Sequence, residues 1–378
     1  MSARLHDLHA AGQSLWLDYI DRAMLSNGDL ARRIRDDALT GMTSNPTIFE
    51  KALADGSAYD AQLAALDETV SVQAAFEALA AADVRQACDA FRGVYDATKA
   101  VDGYVSLEVS PALANDADGT VAEAHRLWAL VGRPNLMIKV PGTLAGADAV
   151  RRLIGDGLNV NVTLLFAIDA HARVIEAYIA GLESRVARGL PIDRIASVAS
   201  FFVSRVDSAI DKSLDTMAAA DVAHGDALRA LRGQAAIANA KLAYQRFARE
   251  FATPRWSTLS ARGAHVQRPL WASTSTKNPS YRDVIYVEEL IGPNTVNTLP
   301  PATLEAFRDH GNVRQSVTNG IADGERALAA LEAAGISLRA VTDTLLTDGL
   351  ASFGQSFVTL LAGLERKRAA LAAHSSSH

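Results

Sequence analysis

The sequence predicts an α/β fold, specifically a (β/α)8 TIM barrel with additional C-terminal helices. Short apolar runs of strand length alternate with longer stretches in which apolar residues recur every three or four positions. This alternation is typical of parallel strands joined by helices. The chain has eight such runs, the number of strands that closes a barrel of this kind. An open doubly wound sheet is the alternative topology, but no G-x-G-x-x-G motif follows the first run.

The strand candidates share apolar or β-branched residues over six to eleven positions, bounded by polar or turn-forming residues. They span residues 14–20, 41–49, 104–110, 135–141, 159–166, 195–205, 268–276 and 295–300. The helical pattern is clearest over residues 60–91, 121–132, 167–189, 227–251 and 344–373.

Neither a repeat nor a linker rich in Pro, Gly or Ser divides the chain. We therefore expect residues 1–378 to form a single barrel domain, with residues 302–373 as C-terminal helices that pack on the barrel. The longest helical stretch after the last strand candidate, residues 344–373, has the length to lie across one end of a barrel.

Composition narrows the classes of protein to which the chain can belong. A net charge of −6 and a pI near 5.9 do not fit a nucleic-acid-binding domain. The first 16 residues lack the apolar core of a signal peptide, and we expect no apolar run of membrane-spanning length. The single cysteine, Cys88, excludes an internal disulfide and fits a reducing compartment. We expect a cytoplasmic protein with no nucleic-acid or membrane partner.

Polar residues inside barrel strands are informative because such strands are buried on both faces. In a barrel, the active site lies at the carboxyl ends of the strands. The strand candidates place polar residues there at Asp18, Asn45, Glu108, Lys139, Asn161, Thr163, Ser200, Arg205, Ser273 and Lys277. Because the carboxyl ends of parallel strands meet at one face, we expect these side chains to form a site.

Taken singly, each of these residues also has a structural interpretation. Asp18 can cap a loop, Asn45-Pro46 is a turn signal, and the serines can be buried hydroxyls that bond locally. Arg205 can be a solvated charge or a partner of Asp207, and Lys139 can face water from an edge strand.

The residue types favour Schiff-base chemistry. Burial disfavours the ammonium form of a lysine, and the neutral amine can attack a carbonyl to form an iminium that acts as an electron sink. The nine histidines lie in helical or loop stretches, so we expect no metal-dependent catalysis.

The neighbours of Lys139 supply the remaining parts of such a reaction. Glu108 and Thr163 come from the flanking strands and can hold a water that shuttles protons. Asp18 can take the proton of the substrate hydroxyl as the C–C bond breaks. The two cations, Arg205 and Lys277, can bind a phosphate together with Ser200 and Ser273.

Several stretches resemble the transaldolase family, in its longer-chain branch. They include "LWLDYI", "GMTSNPTIFEKA", "VSLEVSPALANDADGTVAEA", "NLMIKVPGT", "GLNVNVTLLF", "SVASFFVSRVDSAIDK" and "LWASTSTKNPSYRDVIYVEELIGPNTVNTLPP", in order over residues 15–301.

The resemblance implies a barrel whose strand-four lysine, Lys139, forms the Schiff base, with Asp18 as the acid and base of C–C cleavage. It implies that Glu108 and Thr163 act with a catalytic water and that no metal or organic cofactor is used. Asn45 and Asn161 would contact sugar hydroxyls, and Ser200, Arg205 and Ser273 would bind the phosphate.

The reaction that the resemblance implies belongs to the pentose phosphate pathway and acts on small sugar phosphates. It moves a dihydroxyacetone unit from sedoheptulose 7-phosphate to glyceraldehyde 3-phosphate, giving erythrose 4-phosphate and fructose 6-phosphate. For the assembly we expect a monomer or a homodimer.

Two positions, Lys277 and Phe202, differ from residues found in members or relatives of this family. Lys277 stands where shorter transaldolases have an arginine soon after the strand-seven serine. Related aldolases use a tyrosine near the lysine to protonate the intermediate, and Phe202 stands where that tyrosine is expected. A phenyl ring donates no proton, which favours transfer to an acceptor over release, although Phe202 can also be a core residue.

Two alternatives stay open at this point. One is a sugar-phosphate aldolase that releases free dihydroxyacetone. The other is a barrel that binds sugar phosphates without catalysis, which would have no need of a lysine beside Glu108 and Asp18.

Overall fold

The computed structural model describes residues 3–54, 57–67, 69–221 and 223–375. Within these ranges eight parallel strands close into a barrel in chain order. They are β1 (Gln13–Asp18), β2 (Leu39–Thr43), β3 (Tyr104–Glu108), β4 (Leu136–Pro141), β5 (Val160–Leu165), β6 (Ser197–Phe202), β7 (Arg268–Ala272) and β8 (Thr295–Leu299). The barrel closes where β1 pairs with β8, with Leu15 opposite Asn297. This closure confirms the barrel and excludes the open doubly wound sheet.

The helices lie between the strands and after β8. In the described ranges they are α1 (Ala3–Ala10), α2 (Arg22–Ser26), α3 (Asp29–Asp36), α4 (Pro46–Ala54), α5 (Asp60–Ala64), α6 (Val72–Ala97), α7 (Ala117–Val131), α8 (Leu144–Asp156), α9 (Ile168–Ala187), α10 (Ser204–Ala220), α11 (Gly225–Arg229), α12 (Ala235–Glu250), α13 (Pro254–Ser260), α14 (Ile285–Glu288), α15 (Pro301–His310), α16 (Ile321–Ala333) and α17 (Leu338–Ser375). A short 3₁₀ helix spans Pro111–Leu113.

Two strand candidates continue into helices. The candidate at 41–49 ends as a strand at Thr43, and α4 begins at Pro46, because proline has the φ of a first helical turn and needs no hydrogen bond for its nitrogen there. The candidate at 195–205 ends at Phe202, and α10 begins at Ser204. The prediction that Arg205 lies on strand six is therefore wrong, since Arg205 is in the first turn of α10.

The seventh strand is also shorter than the candidate at 268–276. It ends at Ala272, so Ser273 and Lys277 lie in the loop that follows β7. Ser273 has a φ of +55°, a left-handed conformation that does not continue a strand. Its carbonyl accepts a hydrogen bond from the Ser204 amide at 3.0 Å, and this bond fixes the loop against the start of α10.

Two predicted helices are each divided in the structure. The stretch at 60–91 forms α5 and α6, and α6 begins afresh after Ser71, whose hydroxyl accepts a hydrogen bond from the Ala74 amide at 3.2 Å. The stretch at 227–251 overlaps α11 and α12. Gly233, with a φ of +72°, lies between these two helices and interrupts the helical conformation.

Large aromatic side chains fill the core of the barrel. Trp16, Phe201 and Trp271 are fully buried, and the Phe201 and Trp271 rings meet edge to face with their centroids 6.3 Å apart. Trp16 packs directly on Gly41 of β2, where a Cβ atom would lie 2.5 Å from the indole. The packed strands therefore hold their carboxyl ends in fixed positions.

The C-terminal helix α17 crosses the carboxyl end of the barrel, as the length of its predicted stretch allows. The Thr47 hydroxyl donates to the Ser356 hydroxyl at 2.8 Å, and a Cβ atom on Gly349 would lie 3.0 Å from the Leu164 side chain of β5. These contacts join α17 to the loops that bear the predicted site.

By length and composition alone, α17 reaches the threshold for a membrane-spanning helix over Leu338–Ala373, and we find no other such helix in the described ranges. The expectation of no membrane-length apolar run is therefore not met in full. A single helix of this kind is weak evidence for a membrane span, because helices that pack on soluble proteins pass the same test. The Phe357 ring of α17 lies edge to face with Phe76 of α6, with centroids 5.7 Å apart.

Candidate active site

Three neighbouring strands bring the predicted catalytic side chains to the same level of the barrel. Lys139 of β4 is in register with Glu108 of β3 and with Asn161 of β5. Thr163 lies two residues beyond Asn161 and therefore on the same face of β5. The prediction that Glu108 and Thr163 flank Lys139 on adjacent strands is confirmed by this strand order.

Lys139 is buried and held by two acceptors. Its Nζ atom lies 3.3 Å from Oε2 of Glu108 and donates a hydrogen bond to the Ser44 carbonyl at 3.2 Å. The side chain is 6% exposed. A closed barrel has no edge strand, so the interpretation of Lys139 as a water-facing edge residue is wrong.

Buried oxygens flank Lys139 on both sides. Apart from the ion pair with Lys139, Oε2 of Glu108 accepts no hydrogen bond from the described residues. Oγ1 of Thr163 also makes no hydrogen bond with any of them. Burial raises the pKa of Glu108, and the charge of Lys139 offsets part of this effect. Buried polar atoms without a protein partner usually bind water, so this pair suits a bound water beside Lys139.

Asp18 reaches the same face from the end of β1. Its Oδ1 atom accepts a hydrogen bond from the Thr43 hydroxyl at 2.8 Å. Burial raises the pKa of Asp18, while the charge of Lys139 and the Thr43 bond lower it. A buried carboxyl group with a raised pKa can take up and return a proton, which suits general acid–base catalysis.

The two predicted asparagines have different surroundings. Asn45 lines the cavity, and its Oδ1 atom also accepts a hydrogen bond from the Ile48 amide at 2.9 Å at the start of α4. Asn161 is fully buried, with its amide nitrogen donating to Ser106 at 3.0 Å and its oxygen accepting from Ser200 at 2.7 Å. Asn161 thus fixes the Ser200 hydroxyl.

Two cations lie on the other side of the cavity. Arg205 is half-buried and has no acidic side chain within ion-pair distance among the described residues, so the alternative interpretation of Arg205 as a partner of Asp207 is wrong. Lys277 donates to the Ser275 hydroxyl at 2.6 Å. Burial lowers the pKa of both groups, and the charge of Arg205 lowers the pKa of Lys277 further. This arrangement favours an anion between or beside the two cations.

Phe202 completes this part of the cavity. It is 7% exposed, and its ring centroid lies 5.4 Å from Cζ of Arg205. The ring lines the cavity, so Phe202 is more than a core residue.

The described residues enclose a cavity of about 550 Å³ at the carboxyl end of the barrel. Of the residues predicted from the sequence, it is lined by Asp18, Asn45, Lys139, Thr163, Ser200, Phe202, Arg205, Ser273 and Lys277. Glu108 and Asn161 do not line it. Glu108 lies behind Lys139, and Asn161 lies behind Ser200.

Several residues of this site are not predicted from the sequence, and four of them contact or face the catalytic groups. Thr43 binds Asp18, the Ser44 carbonyl binds Lys139, and Lys51 and Phe353 line the cavity. The strand candidate at 41–49 includes "TSNP", and Asn45-Pro46 is a turn signal within it, but neither pattern shows that the Ser44 carbonyl is an acceptor. Phe353 is about 210 residues from Lys139 in sequence, and helical periodicity predicts its burial but not its neighbour.

The described part of the chain contains no cluster of three or more His, Cys, Asp or Glu side chains that suits a metal ion. What the arrangement offers is a buried lysine, two carboxyl groups with raised pKa, and a pair of cations.

Comparison with known proteins identifies a family for most of the chain. Residues 15–364 match the model of the transaldolase/fructose-6-phosphate aldolase family. A protein of Frankia alni named transaldolase is 50% identical over 363 residues, which cover 96% of each chain. A transaldolase of Acidothermus cellulolyticus is 48% identical over 97% of each chain. A transaldolase of Thermobifida fusca is 47% identical over 99% of this chain and 100% of its own.

Proposed function

This chain belongs to the transaldolase/fructose-6-phosphate aldolase family, and we propose that it is a transaldolase in which Lys139 forms the Schiff base. The reaction moves a dihydroxyacetone unit from sedoheptulose 7-phosphate to glyceraldehyde 3-phosphate and gives erythrose 4-phosphate and fructose 6-phosphate. The observation that carries the proposal is the buried Lys139 beside the Glu108 carboxylate, with Nζ and Oε2 separated by 3.3 Å.

Lys139 attacks the ketone carbon of the donor sugar as a neutral amine. Loss of water from the carbinolamine gives an iminium, which accepts the electron pair of the neighbouring C–C bond. The Ser44 carbonyl and Glu108 hold the nitrogen in place before the attack. They also favour a positive charge on that nitrogen once the iminium forms.

Glu108 and Thr163 move protons through a water. Carbinolamine formation and dehydration each require a proton transfer at oxygen or nitrogen. Oε2 of Glu108, which has no hydrogen-bond donor besides its ion-pair partner Lys139, and Oγ1 of Thr163, which has no hydrogen-bond partner among the described residues, support a water between them. The raised pKa of Glu108, which results from burial, makes it able to donate as well as accept a proton.

Asp18 acts on the substrate hydroxyl next to the bond that breaks. It removes this proton as the aldehyde leaves, and it returns a proton when the acceptor aldehyde adds. Its hydrogen bond from Thr43 fixes the carboxyl group at the end of β1, which β2 separates from the strand that carries Glu108, so the two proton transfers involve different carboxyl groups.

Arg205 and Lys277 bind the substrate phosphate, and Arg205 contributes more. A guanidinium can bind two phosphate oxygens at once, whereas an ammonium is a point charge. The amino end of α10 and the Ser273 hydroxyl lie beside Arg205, with the Ser204 and Ser273 hydroxyls 3.1 Å apart. Helix amino ends favour phosphate. Asn45 contacts the sugar hydroxyls, and Asn161 acts through Ser200.

Phe202 favours transfer over release. Release of free dihydroxyacetone requires protonation of the carbanion-like intermediate at carbon. A phenyl ring has no proton to give, so the intermediate persists until the acceptor aldehyde arrives. This feature supports a transaldolase over the aldolase alternative.

We further infer that residues 1–378 form one barrel domain that works in the cytoplasm, as a monomer or a homodimer. Cys88, the single cysteine, is buried as a free thiol, which fits a reducing compartment. Light scattering coupled to size exclusion distinguishes the two assemblies by mass.

The proposal is tested by Lys139→Met. We expect turnover to fall below detection while sugar-phosphate binding persists, because the phosphate and hydroxyl contacts remain. Lys241→Met is the matched control, since Lys241 is a second buried lysine that pairs with a glutamate, Glu289, at 3.1 Å, outside the cavity. Turnover by Lys139→Met at the wild-type rate would contradict the Schiff-base proposal. Loss of turnover by both variants to the same extent would also contradict a specific role of Lys139.

A further inference from the structure

The C-terminal helix α17 contributes a residue to the cavity. Phe353 lies on α17, is 5% exposed, and lines the same cavity as Lys139. The centroid of its ring lies 5.8 Å from the Lys139 Nζ atom. This separation is within the range of an attraction between a cation and an aromatic face.

The contacts of α17 hold Phe353 in this position. One helical turn before it, Gly349 packs against Leu164. One turn after it, Phe357 packs against Phe76, and Ser356 accepts the Thr47 hydroxyl at 2.8 Å. These contacts lie on both sides of Phe353 along the helix, so the ring is fixed over the lysine.

The Leu164 contact depends on an irregular strand end. Leu164 has a φ of +58°, and the β5–β6 register shifts between Val162 and Leu165. A left-handed leucine is unfavourable and persists where the surrounding structure imposes it. The irregularity turns the Leu164 side chain toward Gly349, where the absence of a Cβ lets α17 approach closely. The strand that carries Thr163 therefore also seats the helix that carries Phe353.

We propose that Phe353 is an active-site residue that shields the Lys139 iminium and its enamine from water and so directs the reaction toward transfer. This inference rests on the proposed function. The competing outcome is release: water protonates the enamine carbon, a second water adds to the iminium carbon, and the carbinolamine collapses to free dihydroxyacetone and the lysine amine. One water left when the iminium formed and one is consumed here, so release is redox-neutral and needs only water.

The test measures how the intermediate divides between two products. Purified enzyme receives fructose 6-phosphate and erythrose 4-phosphate, and sedoheptulose 7-phosphate and free dihydroxyacetone are both quantified. We expect Phe353→Ala to raise the ratio of release to transfer by about tenfold, the scale of losing one ring–cation contact in a desolvated site. Phe353→Leu restores most of the bulk without the ring, and we expect an intermediate ratio.

The matched control is Leu360→Ala. Leu360 lies on the same helix and is 3% exposed, but it does not line the cavity. If Phe353 acts locally, Leu360→Ala keeps the wild-type ratio, even where it lowers stability. A ratio that rises equally in both variants would show that any loosening of α17 has this effect and would overturn the assignment to Phe353.

Two further results separate this inference from the proposed function. A wild-type ratio in Phe353→Ala, with the Lys139 adduct still trapped by borohydride, would overturn the role of Phe353 alone. A wild-type enzyme that forms no such adduct at Lys139 would overturn the proposed function, and this inference with it. Should Phe353→Ala fail to fold, an unchanged ratio in Phe353→Leu would count against the proposal in the same way.

Discussion

Glu108 and Lys139 are register partners on adjacent parallel strands, and their side chains meet with Oε2 3.3 Å from Nζ. Both side chains are buried, and among the described residues Oε2 of Glu108 has no hydrogen-bond donor besides Lys139. A buried ion pair with so few additional hydrogen bonds does not recover the free energy of desolvating its two charges, so it is a poor means of stabilising the fold. Its chemistry explains it better, because the pair holds an amine and a proton carrier at one point.

Glu108→Gln should slow formation of the iminium. The amide keeps the shape of the carboxyl group but cannot carry a proton, so we expect the rate of adduct formation to fall by about 10²- to 10⁴-fold, with little change in KM. Borohydride trapping at short times measures this step directly. Glu123→Gln is the control, because burial also raises the pKa of Glu123 while its Oε1 atom accepts from the Ser110 amide outside the cavity. Adduct formation at the wild-type rate in Glu108→Gln would refute this role.

Arg205→Ala should weaken binding of phosphorylated substrates in particular. Loss of a charge-assisted bond is expected to raise the KM for fructose 6-phosphate by roughly 10- to 100-fold, and Lys277→Ala should have a smaller effect. Unphosphorylated fructose serves as the comparison substrate that isolates the contribution of the phosphate to binding, since neither variant should change the KM for fructose. Arg173→Ala, at an exposed arginine outside the cavity, serves as the control. Equal effects on both sugars would contradict a phosphate site here.

Phe202→Tyr should convert part of the activity from transfer to release. The added hydroxyl would stand in the cavity beside the intermediate and donate the proton that a phenyl ring lacks, so we expect the share of free dihydroxyacetone to rise by about tenfold or more. Phe166→Tyr adds the same group to a ring whose centroid lies 5.2 Å from that of Phe202 and which does not line the cavity. An unchanged product ratio in Phe202→Tyr would show that proton supply does not limit release.

His171 should make the protein sensitive to acid. It is fully buried, neither ring nitrogen makes a hydrogen bond of good geometry within the described chain, and burial lowers its pKa to about 4. Because the folded-state pKa is below the unfolded value of about 6.5, the stability that depends on neutral His171 is complete above that value. It is lost as the pH falls toward 4, by up to about 3 kcal/mol.

His171→Phe should remove this loss, since a phenyl ring suits the edge-to-face contact with Phe201. Denaturant unfolding at pH 7.5 and pH 4.5 measures the difference between wild type and variant at each pH. Asp18 and Glu108, whose pKa values burial raises, act in the opposite direction and are common to both proteins. A difference that does not change with pH would contradict the prediction.

The sequence predicts the barrel and the lysine well for a physical reason. Strands buried on both faces read as apolar runs, so a polar residue such as Lys139 or Glu108 stands out against its neighbours. Because the strands are parallel, their carboxyl ends all lie at one face of the barrel. The residues of the site can therefore be predicted before the contacts between their side chains are known.

Residues whose position depends on the ends of elements are harder to place. Arg205 belongs to an apolar run by composition, but Ser204 already begins a helix, and a strand pattern does not show this change. The Ser44 carbonyl, which binds Lys139, has no side-chain signal at all. Phe353 is predicted only as part of the apolar face of α17, because its neighbour depends on where the helix crosses the barrel.

The most direct measurement maps the covalent intermediate. The protein is incubated with fructose 6-phosphate, reduced with borohydride, digested, and analysed by mass spectrometry. The account predicts a stable adduct of a three-carbon unit or of the whole sugar on Lys139, absent from Lys139→Met. No adduct, or an adduct confined to Lys277 or a surface lysine, would contradict the assignment of the Schiff base to Lys139, although the barrel fold would be unaffected.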